Sequence, residues 1–138
     1  MKTVMCFGTF DLLHLGHLDY FKQAKKCGDH LTVVIARDST KEKMNKVLAF
    51  SELERLQMVR SLQVVDQVVL GNHDNHLQIV EDLKPDVICL GYDHPISVEE
   101  LKRKLGELGL IPEVVRMQPY QTSKHKTTFL KEKVLKTE

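Results

Sequence analysis

This sequence predicts an α/β fold, a doubly wound five-stranded parallel sheet, and two observations predict it. Short apolar, β-branched runs alternate along the chain with segments of helical periodicity, the pattern of successive βαβ units. Polar stretches follow those runs at residues 8–17, 37–46, 71–76 and 91–95, and a further polar loop precedes Thr127. Open parallel sheets bind ligands beyond the carboxyl ends of their strands, which is where these stretches would gather.

Val4 to Phe7 reads as the first strand, and a helical pattern runs from about Leu18 to Cys27. Gly28-Asp29 makes a turn. Leu31 to Ala36 is a continuous β-branched run, as expected of a strand covered on both faces. Arg37 to Phe50 reads as a polar, lysine-rich loop. Ser51-Glu52-Leu53-Glu54 matches a capping box and opens a helix carrying Leu53, Leu56, Met58, Val59 and Leu62. The third strand lies within Val64 to Leu70. Asn75 or a neighbour caps a short helix to Leu83, and Pro85-Asp86 breaks it. Val87 to Leu90 is the fourth strand. Ser97 with Glu100 starts a helix that Gly109 stops. Glu113 to Met117 is the fifth strand, and Thr127-Thr128 begins a last helix.

The 138 residues have the size of one domain, taken as 1–138. A hydrophobic share of 42% and a charged share of 28% suit a globular protein in water. The net charge of +1 argues against a nucleic-acid or acidic-membrane partner. No apolar run approaches the roughly 20 residues of a membrane helix. The N-terminus enters a strand without a signal-peptide pattern, so the expected location is cytoplasmic. Cys6, Cys27 and Cys89 form no Cys-x-x-Cys pair, which argues against a disulfide framework or structural zinc. They read as small buried hydrophobes. Cys6 and Cys89 both fall near strand ends, and a redox-sensitive pair is the alternative.

The chemistry centres on Gly8-Thr9-Phe10-Asp11-Leu12-Leu13-His14-Leu15-Gly16-His17. A glycine-containing turn between strand and helix is a phosphate-binding arrangement, because N–H groups at a helix N-terminus are unpaired and carry partial positive charge. His14 and His17, three apart around Gly16, fall on one side of the first helical turn, where a phosphate would meet both rings. An isolated pair of this kind is most often structural. A metal site with Asp11 as third ligand is a weaker reading, since no fixed cluster of further ligands accompanies it. His73 and His76 repeat the spacing and read as loop histidines.

The full string Gly-Thr-Phe-Asp-x-x-His-x-Gly-His resembles the signature of the cytidylyltransferase-like nucleotidyltransferases, small Rossmann-like enzymes, and the resemblance covers nearly the whole chain. It implies strand order 3-2-1-4-5 with helices on both faces. It implies attack by a substrate phosphate on the α-phosphorus of a nucleoside triphosphate, with pyrophosphate leaving. Such a reaction needs alignment and charge neutralisation more than covalent chemistry. By resemblance, His14 and His17 contact the triphosphate and stabilise the transition state. Gly8, Thr9, Phe10, Asp11 and Gly16 form the nucleotide-binding turn, with Asp11 partly an anchor.

The same resemblance makes Lys46, with Lys43 as a second, a mobile phosphate-binding lysine. Met44 stands where the glycerol-3-phosphate enzymes have lysine. Arg55, on a bare reading an exposed helix arginine, would reach the phosphates of substrate or nucleotide. Gly91, Tyr92 and Asp93 would shape the base and ribose pocket, Asp93 through a polar contact. Thr127 and Thr128 would hold phosphates as part of the family's Arg-Thr-x-Gly-Ile-Ser-Thr-Thr element, in which Gln121 replaces the arginine and Lys126 the serine.

Two branches compete. Archaeal-type FAD synthases, which adenylylate FMN, are similar over Val34 to Thr40, Val64 to Asp66, Val69 to Gly71, Lys84 to Asp86 and Leu90 to Asp93. CTP-dependent glycerol-3-phosphate or other polyol-phosphate cytidylyltransferases share the opening string. The first is the lead reading. It implies ATP, FMN and a divalent cation, Mg²⁺, bridging phosphates, with no resident metal site, and family members are often homodimers. A regulatory nucleotide-binding module without catalysis is the reading from another class, and His14, His17, Lys46 and Thr128 speak against it.

Overall fold

The computed structural model describes residues 1–43, 47–73 and 75–120, without the side chains of residues 42 and 43. Five strands form one parallel sheet: β1 (Thr3–Gly8), β2 (His30–Ile35), β3 (Gln67–Leu70), β4 (Val87–Leu90) and β5 (Glu113–Arg116). Their order is β3-β2-β1-β4-β5, the order expected. The helices are α1 (Leu15–Lys25), α2 (Asp38–Lys43), α3 (Glu52–Arg60), α4 (Gln78–Leu83) and α5 (Val98–Glu107).

Strand side chains alternate between the two faces of the sheet, and each face is covered. On one face Val4, Cys6, Leu31, Val33 and Cys89 pack with Phe21 and Ala24 of α1 and Val59 of α3. On the other, Met5, Val34, Ile88 and Val114 pack with Val80 of α4 and Leu101 and Leu105 of α5. β1 lies at the centre, and its register sets Cys6 opposite Val33 on one side and Cys89 on the other. The chain winds outward in one direction from β1 through β2 to β3 and in the other through β4 to β5. The topological switch therefore falls between β1 and β4, and a ligand crevice opens beyond their carboxyl ends.

The capping box expected at Ser51 forms in full, while of the one expected at Ser97 with Glu100 the hydroxyl half forms. The Ser51 hydroxyl accepts from Glu54 N while the Glu54 carboxylate accepts from Ser51 N. The Ser97 hydroxyl accepts from Glu100 N at 3.0 Å, and Gly109 after α5 has φ +76°. Two boundaries differ. α1 begins at Leu15, three residues before the expected start, because His14 caps it. A short helix, α2, occupies part of the expected loop at 37–50. Asp38 and Glu52 secure it reciprocally: each carboxylate accepts from the other residue's backbone N–H, at 2.9 and 3.1 Å. The expected last helix from Thr127 lies outside the described residues. No helix among the described residues is long and apolar enough to cross a membrane.

Candidate active site

β1 ends in a turn that its own side chains lock. Phe10 adopts φ 53°, a left-handed conformation that costs a bulky residue energy. Packing holds it there. The ring is 5% exposed, lies 4.9 Å from the Phe21 ring, and meets the His17 ring edge-on at 5.4 Å. Gly8 makes room for it: a Cβ on Gly8 would stand 2.4 Å from the Phe10 ring. Gly8→Ala is therefore expected to displace Phe10, destabilise the fold by about 1–3 kcal/mol as overpacking does, and disturb His17. Denaturant unfolding and a turnover assay on the same sample check this. Full activity in the variant would show that the turn does not set the histidine.

His14 and His17 open α1. The His14 Nδ1 accepts from Gly16 N at 3.0 Å, and the His17 Nδ1 accepts from His14 N at 3.3 Å. The rings stack at 3.9 Å. With Nδ1 accepting in both, the neutral ring carries its proton on Nε2. The positively polarised helix N-terminus thus carries two imidazole Nε2–H groups, while Gly16 N, His17 N and Leu18 N are taken up by His14. Burial, and then the neighbouring His14, push the His17 pKa down to about 3 from an ordinary 6.5. His17 is a neutral donor throughout the physiological range.

A pH dependence follows. Between pH 6.5 and 3 the unfolded chain binds a proton at His17 that the folded chain does not, so stability falls as pH drops through 6.5 and levels off near 3. His17→Ala is expected to lose less stability than the wild type between pH 7.5 and 4.5. Parallel melting curves would contradict the neutral ring. Equally, kcat/KM of the wild type should not decline on this group's account as pH rises from 6.5 to 8.

The remaining residues of the string hold the turn against the rest of the site. Asp11 is 5% exposed, and its carboxylate accepts from Ala49 N at 2.8 Å and Phe50 N at 2.9 Å. It ties the turn to the segment that enters α3, which is the anchor role. Arg55 differs from the bare sequence reading. It is fully buried. Its guanidinium donates from Nη1 to Thr9 O at 2.8 Å, from Nε to Phe50 O at 3.2 Å and from Nη2 to the Asp38 carboxylate at 2.6 Å. In this structure it points inward and joins the turn, α2 and α3. Arg37 adds a further tie, bonding Gly71 O at 2.8 Å and the Glu52 carboxylate at 3.0 Å.

The other wall of the crevice is the loop after β4. Gly91 and Tyr92 are half-buried there and Asp93 is exposed. Arg116 holds this loop by its carbonyls. Burial, then the Arg116 charge, keep the His94 pKa below its ordinary value. Tyr20 of α1 donates its hydroxyl to Cys89 O at 2.6 Å and so links the histidine helix to β4. Because Cys6 and Cys89 are in register, the Gly8 turn and the Gly91 loop leave neighbouring strands at one level of the sheet.

The structure therefore brings Gly8, Thr9, Phe10, Asp11, His14, Gly16 and His17 together and sets Gly91, Tyr92 and Asp93 beside them. Lys46, Thr127 and Thr128 and the Lys43 side chain lie outside the described residues. Sequence reading missed Asp38, Glu52, Tyr20 and Arg116. Only Arg116 left a signal, as a lone cation ending an apolar strand.

Cys6 and Cys89 are adjacent across β1 and β4, and both are buried. Burial pushes both thiols far above their ordinary pKa, which disfavours the reactive thiolate. Among the described residues no three His, Cys, Asp or Glu side chains converge as a metal-holding group.

The cytidylyltransferase-like family model matches residues 5–133. An FAD synthase of Thermoplasma acidophilum is 41% identical over 135 residues, 98% of this chain and 95% of that protein. An FAD synthase of Methanohalobium evestigatum is 45% identical over 118 residues, 85% of this chain and 77% of that protein. Among solved structures, the lipopolysaccharide core biosynthesis protein of Thermoplasma volcanium superposes with a TM-score of 0.86. It is 44% identical, over 88% of this chain and 99% of that one.

Proposed function

The chain belongs to the cytidylyltransferase-like family and is a nucleotidyltransferase, and we propose that it transfers AMP from ATP to FMN, giving FAD and pyrophosphate. The observation that carries the substrate choice is the similarity to FAD synthases along 98% of the chain. An FMN phosphate oxygen attacks the α-phosphorus, a new P–O–P bridge forms, and the bond from the α-phosphorus to the pyrophosphate oxygen breaks. The chain's own contribution is positioning and charge neutralisation. The triphosphate lies at the N-terminus of α1, where the Nε2–H groups of His14 and His17 donate to oxygens that gain charge in the transition state. Thr9 contributes main chain at the turn. The Gly91-Tyr92-Asp93 loop takes the nucleoside.

The described residues offer no ready cage for a cation. In this reading Mg²⁺ enters as part of the substrate, MgATP, held by phosphate oxygens, as this ion commonly is. Lys43, Lys46, Thr127 and Thr128 remain proposed phosphate-holding groups by the family resemblance. A single domain over 1–138, a homodimer and a cytoplasmic location belong to the same proposal.

The test is pyrophosphate release with Mg²⁺, crossing ATP and CTP against FMN and glycerol 3-phosphate, with FAD identified by its absorbance and mass. The expected result is turnover with ATP and FMN alone. Turnover with CTP and glycerol 3-phosphate alone would move the protein to the other branch.

A further inference from the structure

The loop between β4 and α5, residues 91–96, forms one wall of the crevice. Within it, His94 N donates to Gly91 O at 3.2 Å and Ile96 N to the His94 Nδ1 at 3.2 Å. What gathers it is one side chain from the next strand. Arg116 ends β5, the edge strand, in register with Leu90, the last residue of β4. Its Nη1 donates to Gly91 O at 2.9 Å and His94 O at 3.0 Å, with Tyr92 O at 3.4 Å, and its Nη2 donates to Ile96 O at 2.5 Å. Four carbonyls within six residues converge on one guanidinium.

We infer that Arg116 is the positioning residue that sets the loop 91–96 for the nucleoside part of the triphosphate. The inference rests on the nucleotidyltransferase reading of the crevice. Arg116 touches protein carbonyls, and it acts on the nucleotide through the loop they belong to. The guanidinium is a rigid planar fork with five donors, so the relative placement of the four peptide groups is fixed by its shape. A lysine is a point charge on a flexible stem and cannot reproduce that fork. The histidines stand on the far side of the switch point, on α1, and Arg116 makes no bond to them. Losing Arg116 should therefore slacken the grip on the nucleoside while leaving the groups at the reacting phosphorus in place. A residue that only stiffened the sheet edge would have no such selectivity.

The experiment compares wild type with Arg116→Met and Arg116→Lys. KM for ATP at saturating FMN, KM for FMN at saturating ATP, and kcat are measured together with thermal unfolding. Expected is a rise in KM for ATP of about tenfold or more in both variants, the scale of losing charge-assisted hydrogen bonds. KM for FMN and kcat should change far less, while the unfolding midpoint falls by a few degrees as the loop carbonyls lose their donor. A lowered midpoint with KM for ATP unchanged would overturn the inference, as would full rescue by lysine. Calorimetric titration of wild type and Arg116→Met with ATP and with CTP, with no acceptor present, gives a reading independent of turnover. If the wild type makes no FAD, the substrate assignment fails, and the weakened binding of whichever nucleotide the wild type takes still tests Arg116. Equal affinity in wild type and variant, or no binding of either nucleotide by the wild type, would overturn it.

Discussion

His17→Ala is expected to lower kcat by about 10²–10³, the usual cost of removing one donor aimed at developing charge. The fold should survive the change. The ring Nδ1 is occupied by His14 N, which leaves Nε2 as the group that faces a ligand. The ring's plane is set by stacking on His14 and by the edge contact with Phe10. Because burial holds the ring neutral, it stabilises the transition state as a hydrogen-bond donor rather than as a fixed positive charge. Alanine also removes the acceptor for His14 N, a helix-cap bond worth about 1 kcal/mol. His17→Gln separates the two effects, since glutamine at this position can accept from the cap residue and so restore the capping box. Steady-state rates for both variants, with unfolding curves, make the check. If glutamine restored full turnover, His17 would be a cap and nothing more.

How far the sequence foretold this depends on how local each feature is. The strands, the Ser51 and Ser97 caps and the Gly109 stop are set by residues near in the chain, and they stood out. The histidine string was legible for the same reason, because turn, cap and donors all lie within ten residues. Arg55 was not. Its carbonyl partner Thr9 is 46 residues away and its carboxylate partner Asp38 is 17 away. Seen within its own helix it looks exposed, and only the packing of α3 beneath the β1 turn buries it. α2 was missed because its six residues are held by Glu52, 14 residues on, and not by helical periodicity. Arg116 belongs to the same class: the loop it gathers begins 25 residues earlier.

Arg55→Met is expected to destabilise the protein by about 3–5 kcal/mol, the range for breaking a buried ion pair from one side. The lower end fits better, because the Asp38 side chain keeps 36% of its surface in water while Arg55 keeps none. Methionine fills much of the volume but leaves Thr9 O, Phe50 O and the Asp38 carboxylate without their donor. Lysine should not rescue, since one ammonium cannot span three acceptors held in a planar fork. Urea unfolding at pH 7.5 measures the change. The same variant decides between two roles for the guanidinium. If Arg55 swung out to bind phosphates, as the family resemblance implied, methionine would cost nucleotide affinity and leave stability near wild type. If it is the buried tie between the β1 turn, α2 and α3, stability falls first, and activity at low temperature falls with it as the Thr9 turn loosens. A stability loss below about 0.5 kcal/mol, within the range of ordinary surface changes, would return Arg55 to the phosphates.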